Sequence, residues 1–424
     1  MKKIFIFLVL VSFFQNTKAQ LPYQVFYGNL HSHTSYSDGQ LTPIDAYTYA
    51  RDSAGLDFHA VTDHMEQLSS SEYTQMQAHA AQATTNGSFV AIFGYEWSSP
   101  YYGHVNVFNT TEMPSVMTYS NWSGFRSWLL ARPNAFAQFN HPGDEDYFNN
   151  WYNFEYKGAA LDTSFPLIEF QNIQQATDWY ELALNNGWHL SPAWNQDNHQ
   201  ANWGNKNNGR AGVWATDLSL NSLFNAMRAG RTFATMDKNA YVWLDVFGSP
   251  MGQTIPRYTN MPFRLKLHDA ENEAWQQIEL VTSNGVVMSF TAQGNLDTII
   301  PLTFYTDKYV FVRAIQADGD YVWSGPIYFT ELVTNVHEQF EFGCRLYPNP
   351  AHSEVNIAFD RIPDNAIQIS IYSISGQLVS KKENIRPDTQ TISLDISDLP
   401  DGIYLVGLES NGIKSFSKLS VINQ

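Results

Sequence analysis

The stretch "NLHSHTSYSDGQ" at residues 29–40 sets two histidines two positions apart and an aspartate five residues later, beside a glycine. In extended backbone, side chains at i and i+2 share a face, so His31 and His33 can offer two imidazoles to one point. "NQDNH" repeats the arrangement with Asp197 and His199. Between them "VTDH" ends in His64, "IFGYE" in Glu96 and "FAQFNH" in His141, while His104 opens the next apolar run after Glu96. Imidazole and carboxylate are the donors that borderline and hard divalent ions accept. The one cysteine, Cys344, is distant in sequence and reads as an incidental linker thiol, so a thiolate site is excluded. Six histidines with Asp38, Glu96 and Asp197 exceed what a single tetrahedral ion needs. The expectation is therefore a cluster of two or three divalent ions, with zinc, manganese and iron all compatible.

Those residues need a scaffold that brings distant positions together. Residues 20–238 alternate short β-type runs with helical stretches such as "TPIDAYTYARDSAG" and "SSEYTQMQAHAAQATTNG". This pattern predicts a parallel α/β arrangement. The histidines and acids fall at the C-terminal ends of the runs, the face where β/α barrels gather their sites. A helix over "SLNSLFNAMRAG" is expected to close the domain. Residues 239–334 change to period-two strands separated by turn residues, which predicts a small antiparallel β-sandwich. Residues 335–344 read as a linker, and 345–424 as a second all-β module.

The N-terminus "MKKIFIFLVLVSFFQNTKAQ" has Lys2 and Lys3, an apolar run from Ile4 to Phe14, and the small residue Ala19. It reads as a signal peptide over residues 1–19. No later run is long and apolar enough for a transmembrane helix. The formal charge of −17 becomes −20 when Lys2, Lys3 and Lys18 leave, with 21 basic against 41 acidic residues. Such a balance argues against nucleic acid as a partner. An anionic small substrate then needs a local reversal of sign, which bound metal ions supply.

The ordered set HxH with "SDG", then "TDH", an isolated Glu, "NHP" and "DxH" resembles the signature of the PHP (polymerase and histidinol phosphatase) metalloesterases. "GYEWSSPYYGH" and "MRAGRTFAT" resemble the CehA/McbA branch of that family, named for a carbaryl hydrolase. The resemblance covers roughly residues 25–238 and implies a distorted seven-stranded β/α barrel, (β/α)7, with a trinuclear site. It implies one ion on His31, His33, Glu96 and Asp197, and a second on Glu96, His104 and His141. A third would take Asp38, His64 and His199; Asp38 stands where some relatives have a third histidine. "YPNPAHSEVNIAF" through "DGIYLVGLESNG" to "SKLSVI" resembles the type A sorting domain of the type IX secretion system. That implies the secretion machinery as a partner and the cell surface or exterior as destination.

Two further residues are candidates for catalysis. Asp63 beside His64 reads either as an acid or proton carrier at an irregular strand end, or as a residue facing away from the site. Arg210 in "NNGRAG" reads either as a grip on a substrate oxygen or as a solvated loop arginine. Trp151 and Trp203, in polar loops, are the candidate substrate stackers. His59, His79 and His189 read as structural or surface residues. The expected activity is hydrolysis of phosphate mono- or diesters by metal-activated hydroxide. A carboxylic ester or carbamate hydrolase and an inactive surface-displayed binding protein stand as alternatives.

Overall fold

The structure is a computed structural model. It describes residues 22–115, 121–257, 261–304, 306–332, 344–363, 365–373, 377–410 and 413–422. The expected signal peptide and nearly all of the expected linker lie outside the described residues. The chain divides into two compact units, Tyr23–Gln339 and one that begins at Phe340.

The first unit is mixed α/β. Its leading strands are β1 (Gln24–Asn29), β2 (Phe58–Val61), β3 (Val90–Ser99), β4 (Gly103–Phe108), β5 (Phe136–Phe139), β6 (Leu167–Phe170), β7 (Ser191–Trp194), β8 (Arg210–Ala215) and β9 (Thr232–Thr235). They lie side by side in the order β9-β8-β1-β2-β3-β4-β5-β6-β7. The pairs β1–β2, β2–β3, β5–β6 and β6–β7 are parallel, as the alternation predicts. Two departures have simple causes. β3 and β4 are joined by a tight turn with no room for a crossover helix, so β4 runs antiparallel to both neighbours. The segment from Arg210, expected to be loop, forms a strand antiparallel to β1. β2, β5, β6 and β7 are buried at every position, because they are covered on both sides.

Helices Pro43–Asp52, Ser70–Ala83, Trp122–Leu130 and Leu220–Arg228 cover the strands. Ser69 and Glu72 show why the second starts where it does. The Glu72 amide donates to Ser69 Oγ at 3.2 Å and the Ser69 amide to Glu72 Oε2 at 2.9 Å, a reciprocal cap. The two ends of the strand series meet. Ser191 on β7 donates to the carbonyl of Gly230 at 2.8 Å, and Thr232 on β9 to that of Pro192 at 2.9 Å. Beyond the strand ends, Ser32 and Asn198 form a parallel bridge.

Among the described residues the following segment holds ten strands. β10 (Tyr241–Val246), β11 (Ser249–Pro250), β13 (Met261–His268) and β16 (Leu296–Leu302) make one antiparallel sheet. The others are β12 (Thr254–Arg257), β14 (Trp275–Thr282), β15 (Gly285–Ala292), β17 (Tyr309–Gln316), β18 (Tyr321–Ser324) and β19 (Ile327–Leu332). β18 pairs antiparallel with β9, so these strands continue the first sheet. Trp323 on β18 stacks on Trp194 of β7 with centroids 5.9 Å apart, and its edge meets Phe170 of β6. The boundary drawn at residue 238 thus falls inside a continuous sheet and a shared core.

The second unit is all-β. Three strands (Cys344–Tyr347, Glu354–Phe359, Thr391–Asp395) and four strands (Ile367–Ser373, Leu378–Ile385, Gly402–Ser410, Ile413–Val421) enclose one apolar core. Cys344 is buried in that core instead of lying in a linker. Among the described residues, no helix is long and apolar enough to cross a membrane.

Candidate metal centre

The nine candidate ligands, spread over 169 positions of sequence, converge beyond the ends of the strands. His31 and His33 follow β1, His64 follows β2, Glu96 lies on β3, His104 on β4, His141 just past β5, and Asp197 and His199 past β7. Asp38 arrives on a loop that doubles back on itself. The amides of Ser37 and Gly39 both donate to the Thr34 carbonyl, at 3.1 and 2.9 Å. Gly39 lies so close that a Cβ there would sit 2.5 Å from the carbonyl carbon of His33, so this turn excludes any side chain. His141 and Asp197 have φ of 26° and 43°, the left-handed region that is costly for residues other than glycine. In both cases the turned backbone delivers a ligand to the cluster.

The contacts fall into three overlapping groups whose donor atoms lie within 4.8 Å of one another: His33, Asp38, His64 and His199; His31, Glu96 and His141; His31, His33 and Asp197. The middle group contains His31 where the resemblance implies His104. His104 still lies close, its Nδ1 3.3 Å from Glu96 Oε1. Glu96 is the hub. It is 1 % exposed, and its carboxylate also lies 3.2 Å from His31, 2.9 Å from His64 and 3.4 Å from His141.

A residue that sequence reasoning passed over fixes the protonation pattern. Glu169, on β6 and fully buried, accepts from His31 Nδ1 at 2.9 Å and from the His141 amide at 2.8 Å. With its Nδ1 proton committed to Glu169, His31 turns its other nitrogen toward Glu96, toward Asp197 Oδ1 at 3.3 Å, and toward His33 Nε2 at 3.1 Å. Burial would lower the His31 imidazole, but Glu169, Asp197 and Glu96 hold it well above its usual range, so without metal this nitrogen has one proton for several acceptors. Asp197 Oδ1 is buried and has no directed hydrogen bond, although it also lies 3.1 Å from His33 Nε2. More lone pairs converge here than one proton can serve, and the donor set fits divalent metal ions.

The titration pattern agrees. Burial would raise the Glu96 carboxyl, but His104 and His31, with further hydrogen bonds, hold it well below its usual range. Burial would likewise raise Asp197, and His31 and His33 hold it well below. Burial would lower His64, yet Glu96 and Asp38 push it up to about 9. The same contest, with Glu96 and Glu169 opposing burial, brings His141 to about 8. For His33 burial wins and its value falls.

A shell of buried polar groups holds the ligands still. Asn140 Nδ2 donates to Glu96 Oε1 at 2.8 Å, Gln138 to Asn140 at 2.9 Å, and Asn195 to Gln138 at 3.1 Å. Asn195 in turn accepts from the Leu30 amide at 2.7 Å. His59, held neutral by burial, lies 3.0 Å from Ser32 Oγ, and so supports the residue between His31 and His33. The signal for Glu169, Gln138 and Asn195 was present as polar residues inside or ending otherwise apolar runs.

Three expectations are corrected. Asp63 faces away from the cluster: its Oδ1 accepts from the Thr34 amide at 2.7 Å and Ser37 Oγ at 2.6 Å, its Oδ2 from Thr34 Oγ1 at 2.6 Å. With both oxygens engaged by the 34–37 loop it is a positioning residue, not a proton carrier. Arg210 is 2 % exposed and donates to the carbonyls of Asn207 and Gly209 at 3.3 and 2.8 Å, so it does not reach the site. Burial lowers its guanidinium to about 10. Trp151 and Trp203 are each 1 % exposed, core residues instead of stackers, and Trp203 Nε1 donates to the His33 carbonyl at 3.0 Å.

A cavity of about 330 Å³ opens on the cluster. Its floor is His64, Glu96, His104, His141, Asp197 and His199, and its outer wall includes Asp144, Glu145, Tyr147 and Phe148. Among the described residues no lysine or arginine lines it.

Comparison with known proteins adds the following. Residues 345–423 match the family described as the secretion system C-terminal sorting domain. The chain therefore carries a type IX sorting domain, which marks it for that machinery and for the cell surface or exterior. A two-domain protein from Bacteroides vulgatus containing a predicted PHP-like metal-dependent phosphoesterase is similar over 69 % of this chain and 91 % of its own, at 16 % identity and a TM-score of 0.42. The lesion-specific endonuclease PfuEndoQ from Pyrococcus furiosus is similar over 48 % of this chain and 56 % of its own, at 13 % identity and a TM-score of 0.31. No curated protein matches the chain.

Proposed function

We propose that the chain is an exported, metal-dependent phosphoesterase, made with a signal peptide at 1–19 and built on a PHP-type (β/α)7 barrel. The observation that carries this reading is the convergence of His31, His33, Asp38, His64, Glu96, His104, His141, Asp197 and His199 into one cluster, six of them lining a cavity, with more acceptors than protons can satisfy. Two or three divalent ions, when bound, supply Lewis acidity and lower the pKa of water. The protein holds the donors in place through Glu169, Asn140 and the Asp63-anchored loop. Glu169 also changes the charge balance: three ions at +6 against Asp38, Glu96, Asp197 and Glu169 leave about +2 for the substrate.

The wall argues for the class of ester. Asp144 and Glu145 beside the cavity, with no cationic side chain lining it, repel a dianionic monoester more than a monoanionic diester. Tyr147 and Phe148 offer ring faces to an aromatic or sugar leaving group. The same wall favours a second reading, a carboxylic ester or carbamate substrate, which carries no charge at all.

The test uses the full mature chain loaded with zinc or manganese. Turnover of p-nitrophenyl phosphate, its bis-ester and p-nitrophenyl acetate is compared before and after chelation. The proposal expects the bis-ester to be preferred and chelation to abolish turnover. Preference for the acetate would move the protein to the second reading. Turnover untouched by a chelator would overturn both, and no turnover with metal bound would leave a binding protein.

A further inference from the structure

A second group of acids lies away from this cavity, where the turn after β9 meets the turn after β13. Donor oxygens of Asp237, Asp269 and Glu271 lie within 4.8 Å of one another. Each carboxylate is held by local donors. The amides of Asn239 and Ala240 donate to Asp237 Oδ1 at 2.7 and 3.3 Å. The Glu273 amide donates to Asp269 Oδ2 at 2.7 Å, and Asn239 Nδ2 to Glu271 Oε1 at 3.3 Å. The side chains of Asp269 and Glu271 also meet each other, a contact that a shared proton or a bound cation would satisfy.

Asp269 makes the case for a ligand. It is 0 % exposed, and its Oδ1 is buried with no hydrogen-bond partner. A buried carboxylate oxygen beside two other acids is costly unless a cation, or a proton shared with Glu271, neutralises it. Among the described residues no lysine or arginine lies within 4.0 Å of any of the three, and Arg210 attracts Asp237 only from farther off. The buried Arg210 gives its Nη1 hydrogens to the carbonyls of Asn207 and Gly209 instead. Glu273 and Asp318 add negative charge nearby, with the Asp318 amide donating to Glu273 Oε1 at 2.8 Å.

We propose that Asp237, Asp269 and Glu271 bind one calcium ion that clamps the turn after β9 to the turn after β13. An all-oxygen carboxylate set without imidazole or thiolate suits a hard cation, and its irregular spacing suits calcium better than the strict octahedron of magnesium. Export places the chain where calcium is available, and extracellular modules bind it at about 10⁻⁴–10⁻³ M. The clamp reaches the histidine cluster's scaffold, because Tyr27 on β1 donates to the carbonyl of Asn239 at 2.9 Å. It ties three elements together: β1, the connection from β9 to β10, and the β13–β14 turn.

The experiment takes the full mature chain with its histidine cluster already filled with zinc. Calcium binding is counted by equilibrium dialysis, and melting is followed with and without about 10 mM calcium. The proposal expects one calcium per chain and a rise in Tm of about 3–6 °C. It expects Glu271→Gln and Asp237→Asn to weaken calcium binding at least tenfold and to remove most of the rise, with zinc-dependent turnover unchanged. Glu271 is exposed, so its variant tests the site without disturbing the core. Absence of bound calcium in the wild type, or equal binding and an equal rise in both variants, would overturn the proposal.

Discussion

Two polar loops beside the cluster make opposite use of similar sequence. The stretch from His31 to Asp38 sends three ligands inward, whereas the stretch from Trp203 to Arg210 sends none. The difference lies in how the backbone is satisfied. In the first loop the backbone closes on itself through Thr34 and on Asp63, so its imidazoles are free to face other acceptors. In the second, the side-chain donors serve the backbone: Arg210 serves Asn207 and Gly209, and Trp203 serves His33. A polar residue near a site joins it only if nothing closer claims its hydrogen bonds.

The largest test of that contrast sets Glu96→Ala against Arg210→Lys. Glu96→Ala should lower turnover at least ~10³-fold and release metal while the chain stays folded, because Glu96 lies within 4.0 Å of five imidazoles. Arg210→Lys should leave KM within about twofold. A tenfold rise in KM for Arg210→Lys would break the comparison. Next in size is Glu169→Gln, which removes the acceptor that orients His31; metal affinity measured by chelator competition should fall about 10- to 100-fold. Asp63→Asn should follow. It leaves loop donors short of an acceptor, costing about 1–3 kcal/mol in denaturant melts, with turnover falling only as the loop loosens.

The smallest effect is one of pH on the metal-free protein. His64 and His141 titrate at about 9 and about 8, above the 6.5 of an ordinary imidazole. Their contribution to stability is full below about pH 6.5 and is lost as pH rises through 8 to 9. Metal-free protein should therefore melt at a lower temperature at pH 9 than at pH 6.5, and metal-loaded protein should lose less. An unchanged Tm in the metal-free protein would separate these histidines from the carboxylates around them.

The parts of the molecule that the sequence made legible are those with one dominant cause. HxH spacing and a histidine or acid closing an apolar run both act within a few residues. What stayed hidden depended on distant partners. Glu169 gains its role only because His31 lies across the fold, and Arg210 begins a strand because β1 offers an edge. β4 reads as a strand from sequence, but its direction follows from the length of the turn before it. The join between β9 and β18 was invisible for the same reason, since both runs end in ordinary turn residues.

The central claim is that the nine convergent side chains hold a metal cluster, and the metal content of the purified full chain tests it most directly. Elemental analysis should find two or three equivalents of zinc, manganese or iron in the wild type and less than one in Glu96→Ala. Metal-free wild type that binds none when dialysed against these ions, or equal content in the variant, would contradict the account.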